Sequence, residues 1–239
     1  MKKIKLILIT VVFASNIYAQ YTGFSVAAGI GYYQLDDLKQ FQDDFIAFST
    51  VDAKGFTYFP PFTHVRLELY RKTTSGLKYG LSYDYSTTGA HANYSDYSGN
   101  MNLDQYVKAY QIGAAAYYPL HFRKYFEVLP YGRILVGYTR NLINRTVNTL
   151  YDYQYYNVNM HSFSPALEAG AEAIYHFSRY SFGIEAGYQY DVGGTMNIAD
   201  KDKDRASLFV PDRQVKSNLS GLRAMAKFII RFNNELLTE

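Results

Sequence analysis

The chain has 239 residues, no Cys, no Trp, 26 Tyr and a formal charge of +3. That length suits one large domain, and the lack of Cys excludes both a disulfide framework and an acylated lipoprotein anchor. The modest charge contains no basic block of the kind that marks a nucleic-acid footprint.

The first residues, MKKIKLILITVVFASNIYA, carry Lys2, Lys3 and Lys5 ahead of a short apolar stretch from Leu6 to Ala14, with Ala19 as a small residue suited to cleavage. This is the pattern of a secretory signal over 1–19, cut near Ala19 and leaving a mature domain over 20–239. The apolar stretch is well short of the ~20 residues a spanning helix needs, and no later run approaches that length. A mature chain of this kind enters a membrane only as a closed β-barrel, the one remaining way to satisfy every backbone group in lipid.

Eight segments then alternate apolar and polar residues with period two, the signature of strands with two unlike faces. They are TGFSVAAGIGYY (22–33), FTHVRLELYR (62–71), GLKYGLSYDYSTT (76–88), and stretches near 106–118, 128–140, 162–176, 180–191 and 219–232. In the seventh, Phe182, Ile184, Ala186, Tyr188 and Tyr190 oppose Ser181, Gly183, Glu185, Gly187 and Gln189. The expected fold is all-β: an eight-stranded antiparallel up-and-down transmembrane β-barrel.

The connections alternate between short and long. KTTSG, PLHFRKYFE and FSR are short, whereas 34–61, 88–104, 141–161 and 192–218 are long. Short periplasmic turns and long extracellular loops are the habit of outer-membrane barrels, and an even strand number puts both termini in the periplasm. In the first loop, Leu35, Leu38, Phe41 and Phe45 are spaced for a short amphipathic helix packed on the barrel rim. LYDYQYYNV (150–158) continues to alternate, so its strands are expected to run on above the lipid.

The polar parity decides which face is wet. At mid-strand it holds Arg66, Glu68, Arg133, Glu168, Glu172, Glu185, Arg223 and Lys227. Facing outward, each Arg or Lys at the midplane would cost about 2–4 kcal/mol. The other parity is an apolar band with Tyr at the strand ends, including Tyr79, Tyr85, Tyr118, Tyr138, Tyr175, Tyr180 and Tyr190, the arrangement of interfacial girdles. A soluble lipocalin-like barrel would need an apolar interior instead. The charged face therefore looks inward, where eight strands leave room only for their own side chains. Four cations and four carboxylates balance there, as a filled interior requires and an ion-selective lining does not.

The signal ending NIYAQ, the Gly-rich GFSVAAGIGYY and the last strand LRAMAKFIIRF resemble the small OmpX/OmpA-type outer-membrane β-barrels, particularly those of Bacteroidetes-type bacteria. The resemblance implies an outer-membrane location and recognition of the aromatic-ended last strand by the barrel assembly machinery; here NNELLTE follows Phe232. It implies lipid and lipopolysaccharide as surroundings rather than any particular activity.

The residues hold no catalytic constellation. His161 lies next to Ser162 and three residues before Ser164, not two before a Ser as a lipid-deacylase-like site would want. Paired rim carboxylates of an omptin-like protease are missing as well. Asp200, Asp202 and Asp204 are spaced like a calcium loop, but Arg205 and Pro211 stand where Gly and Glu belong. The expected role is non-enzymatic, with no cofactor: a structural or surface-interaction barrel whose Tyr-rich loops meet an envelope protein or a surface glycan. A narrow pore or small-molecule transport barrel, and a subunit of a larger secretion or uptake complex, are the alternatives.

Overall fold

The computed structural model describes residues 19–47, 59–97, 99–123, 125–149, 153–199, 207–208 and 213–232. The bulk of the signal segment and Asp200, Asp202 and Asp204 lie outside them. Eight long strands form the staves: β1 (Ala19–Tyr33), β2 (Phe62–Thr73), β3 (Lys78–Asp96), β4 (Gly99–Tyr117), β5 (Phe126–Thr149), β6 (Tyr153–Phe177), β7 (Tyr180–Asp191) and β8 (Gly221–Arg231). Each pairs antiparallel with its sequence neighbour, and β8 returns to β1 through a register that runs from Gly23↔Arg231 to Tyr33↔Gly221. The sheet is closed, so none of these staves presents an unpaired edge.

The polarity of the wall is that of a membrane barrel. Ile112, Ile134 and Ile184, all mid-stave, are 66, 65 and 69% exposed, whereas Arg66 and Glu172 on the other face are 0% exposed. On β5 the outward residues from Phe126 to Tyr138 climb about 30 Å at ~3.3 Å per residue and ~40° tilt, enough for an apolar band ~25 Å tall. At the short end, β2 and β3 join through a turn in which Gly76 adopts φ +87° and its amide donates to Thr73 O at 2.9 Å. β6 and β7 join through Ser178 and Arg179, with Ser178 at φ +52°.

The staves continue well past the membrane band. The spans 88–104 and 141–161, expected as long loops with strands running on above the lipid only around 150–158, are mostly paired strand: β3 and β4 stay in register to Asp96↔Gly99, and β5 and β6 to Asn148↔Tyr153. The alternation also changes sense there. On β4 below Tyr110 the apolar residues Ile112, Ala114 and Ala116 face outward; above it, Met101, Leu103 and Val107 face inward while Asn100, Asn102 and Lys108 face out. β5 does the same at Tyr138, placing Ile143 and Val147 inside and Asn144, Thr146 and Asn148 outside. Where the surrounding medium passes from hydrocarbon to water, the greasy face moves from the outer wall to the lumen, as the hydrophobic effect demands.

The interior is therefore not polar throughout, as the lower staves alone suggested. The upper lumen holds an apolar core of inward residues from β3 to β6, joined by Met196, Val215 and Leu219 from the last long connection. Into it packs the helix α1 (Asp36–Ala47), expected on the rim and found capping the mouth. Leu35, Leu38, Phe41 and Ile46 supply the buried face, and Leu38 is fully buried. Burial of such a side chain contributes roughly 1.5–3 kcal/mol. On the polar face Lys39 pairs with Asp43 at 2.9 Å, and Asp37 accepts from the Lys216 amide at 3.1 Å, tying the helix to the last connection.

The opposed polarities of the two tiers give a direct test. Ala114→Arg, at mid-stave on the lipid face, is expected to destabilise the folded barrel by about 2–4 kcal/mol, read as a shifted urea midpoint in lipid vesicles. Asn102→Arg, on the same strand and face but above the girdle, is expected within about 0.5 kcal/mol of the parent.

Candidate functional site

The alternation of β2 places His64, Arg66, Glu68, Tyr70 and Lys72 on the inner wall, and every other stave adds its own inward set. Arg66, Glu68, Arg133, Glu168, Glu172, Glu185, Arg223 and Lys227 are all buried on the inner parity. They form one network. The Arg66 guanidinium crosses the lumen from β2: Nε donates to Asp84 on β3, Nη1 to Glu185 on β7, and Nη2 to Glu168 on β6 at 2.9 Å. Arg133 reaches the same two glutamates at 3.1 and 3.4 Å, and Arg223 reaches Glu168 at 3.2 Å and Gln111 at 2.7 Å. Lys227 sits among Glu68, Glu172 and Glu185 at 2.8, 3.1 and 3.3 Å.

Sequence reasoning missed six further buried charges among the described residues: Lys72, Lys78, Asp84, Glu127, Arg145 and Asp191. Lys78 pairs with Glu172 at 3.2 Å and lies 4.2 Å from the ring centres of both Tyr70 and Tyr117; Asp84 holds Arg66. Nearer the short end, Glu127 pairs with Lys72 at 2.5 Å and with His176 at 3.2 Å. The signal was available for Lys78 and Asp84, which share the polar parity of the third segment. The balance survives the addition, with seven cations and seven carboxylates buried among the described residues, histidines aside. A buried charge left without a partner costs several kcal/mol, so a filled lumen has to match signs.

Tyrosines complete the packing. Tyr117 donates to Glu68 at 2.6 Å and accepts from Arg133 at 2.7 Å; Tyr131 donates to Glu168 at 2.8 Å. The Tyr131 hydroxyl occupies space left by glycines on the next staves: a Cβ on Gly170 would lie 2.7 Å from it, and one on Gly187 closer still. Ser25 of β1 donates to Glu68 at 3.4 Å, so the network touches all eight staves.

At the upper edge of this belt, His64 brings Ser86 and Asp84 together: Nδ1 lies 2.5 Å from Ser86 Oγ and Nε2 lies 3.1 Å from Asp84 Oδ1. The residue types are those of a nucleophile, a base and an orienting acid. All three are buried, and Asp84 is also committed to Arg66. A reactive hydroxyl must meet substrate, and Ser86 faces only its neighbours. Above it Gln189, Thr139, Asn141, Gln105 and the helix residue Gln42 bury side-chain polar atoms that meet no protein partner among the described residues, so a polar layer separates the charged belt from the apolar cap. Among the described residues no group of three or more His, Asp or Glu is placed to hold a metal ion.

No protein-family model matches the chain, and no curated protein matches it in sequence. Solved structures do. Neisserial surface protein A is similar over 89% of this chain and 97% of its own at 15% identity, with a TM-score of 0.37. A major outer membrane protein of Thermus thermophilus is similar over 88% and 99% at 16% identity, with a TM-score of 0.47. Ail, the attachment invasion locus protein of Yersinia pestis, is similar over 90% and 100% at 13% identity, with a TM-score of 0.42. All three are small outer-membrane β-barrels of the OmpA/OmpX type.

The lumen-crossing guanidinium is the most exacting member of the belt. Arg66→Met is expected to destabilise the barrel by about 3–5 kcal/mol, because it strands carboxylates already taken out of water. Adding Glu185→Gln should restore about 0.5–3 kcal/mol of that loss as a coupling energy. Urea unfolding in vesicles over the four-protein cycle measures both.

Proposed function

We propose that the chain is an integral outer-membrane protein without catalytic activity, whose closed barrel carries a rigid, Tyr-rich extracellular wall for contact with another envelope protein or a surface glycan. The observation that carries this reading is the combination of a lumen filled at two levels with staves that rise far above the girdle. From Tyr138 to Thr149, β5 climbs about 28 Å beyond the apolar band at ~3.3 Å per residue and ~40° tilt. A channel needs its lumen for passage; here the lumen is spent on ion pairs and an apolar cap, and construction extends outward instead. Tyr97, Tyr153, Tyr155 and Tyr156 are exposed on the tips of the two tall hairpins, and exposed Tyr suits recognition surfaces.

The short turns and both ends of the barrel, the start of β1 and the end of β8, share one side. In this reading that side is periplasmic, the signal segment is removed near Ala19, and β8 presents its aromatic residues to the assembly machinery. The transport alternative has the buried amides above the belt in its favour, but it needs α1 and the Arg66 cluster to move together.

Both parts of the proposal are open to measurement. An epitope inserted between Tyr97 and Ser98 is expected to be labelled on intact cells, and one between Thr74 and Ser75 only after the outer membrane is permeabilised. The purified barrel is expected to give no stable conductance steps in planar bilayers. Reversed labelling would overturn the topology, and steady channel openings would favour transport.

A further inference from the structure

The outer wall carries one charged feature that its described neighbours do not balance. Lys108 on β4, Arg140 on β5 and His161 on β6 face outward and are direct register partners, Lys108↔Arg140 and Arg140↔His161. Like charges directly opposite one another on paired strands repel, with Cα atoms only ~4.5–5.5 Å apart. Nothing among the described residues relieves this pair. Lys108 has no acidic partner there, and Arg140 uses only Nε, which donates to Asn159 Oδ1 at 2.9 Å and so orients the guanidinium while leaving its two Nη groups uncommitted. The next outward carboxylate on these staves, Asp104, is held by His91 at 2.6 Å.

The height of the row is equally specific. One step below it, Tyr85, Tyr110, Tyr138 and Phe163 form a continuous aromatic ladder across β3 to β6, with ring centres 5.3, 6.3 and 4.9 Å apart. Such a ladder marks the border between hydrocarbon and headgroups, so the basic row lies at the depth of lipid phosphates. His161 is 6.1 Å from the Tyr138 ring, which joins the two rows. The feature is one-sided. At the matching height on the opposite wall stand Gln34 and Val192, next to Tyr32 and Tyr190. A general need for cationic snorkelling would place such residues all around the barrel.

We propose that Lys108, Arg140 and His161 form a binding site for the phosphate of an outer-leaflet glycolipid of the phosphorylated lipid A class. Arg140 supplies a planar fork for two phosphate oxygens, Lys108 a point charge and His161 a ring nitrogen as a further donor. The bound anion offsets the cross-strand repulsion, and the aromatic ladder packs on the upper part of the acyl chains. The site deepens the membrane reading above and rests on it.

The test uses the full mature chain folded in an uncharged detergent, titrated with bisphosphorylated lipid A or with the same lipid stripped of phosphate, and read by native mass spectrometry. The parent protein is expected to retain the phosphorylated form about 25-fold better, since Lys108 and Arg140 near an anionic group each contribute about a factor of five. The triple substitution Lys108→Gln, Arg140→Gln, His161→Gln is expected to abolish that preference while the protein keeps its heat-modifiable migration on gels. Equal retention of the two lipids by the parent, or an undiminished preference in the triple variant, overturns the site. So does full displacement by millimolar inorganic phosphate, which would make the ligand a free anion. Loss of heat-modifiable folding in the parent would instead strike at the membrane reading itself, so the two failures are distinguishable.

Discussion

Arg66 stands where the lumen is crossed. Its guanidinium leaves β2 and meets carboxylates on β3, β6 and β7, and the staves it joins lie on opposite sides of the ring. An antiparallel barrel is already closed by backbone hydrogen bonds, which set the order of the staves but do little to hold opposite walls together. A planar cation with five donors suits that task, because it bonds in several directions at once and stays charged when buried. Once it is inside, the rest follows from the cost of unpaired charge. Glu168 and Glu185 each require further cations, supplied by Arg133, Arg223 and Lys227, and Lys227 in turn gathers Glu68 and Glu172.

The same constraint explains the shape of the molecule above the membrane. A lumen filled with ion pairs needs walls that exclude water from outside, and hydrocarbon does this along the lower staves. Beyond the aromatic ladder no hydrocarbon is available, so the tall part of the barrel is built as a soluble protein is, with its apolar residues inside. Helix α1 completes that core. Its Leu38 and Phe41, with Leu35 just ahead of them, find inward-facing Met101, Leu103 and Ile143, and the cap closes the mouth. Lys108 and Arg140 stand at the level where one building principle gives way to the other.

Much of this was legible in the chain itself. Period-two alternation located the eight staves, and the charges on one parity settled which face meets lipid, because an Arg at the midplane is far costlier outside than in. The limits of the reading had equally physical causes. Within the spans 88–104 and 141–161 only 150–158 showed strands running on, and the rest looked like loops because the alternation inverts: Asn100, Asn102, Asn144 and Asn148 break the apolar stripe expected of a lipid-facing strand. The stripe had changed faces, as Met101, Leu103, Ile143 and Val147 record. The helix was recognised from Leu35, Leu38, Phe41 and Phe45, but periodicity says which side of a helix is apolar and not what it is pressed against.

The sequence by itself determined the class of barrel, the number of staves and the eight charges expected inside, since each depends only on the parity of a residue within its own strand. The tertiary structure decided which charges meet. Arg66 and Glu168 are 102 positions apart, and their contact depends on the register accumulated around the whole ring. It also decided that α1 enters the mouth, that His64, Ser86 and Asp84 converge, and that Lys108 and Arg140 stand side by side on the outer wall. Each of these depends on how neighbouring strands are aligned, and alignment is a property of the closed sheet that no single segment carries.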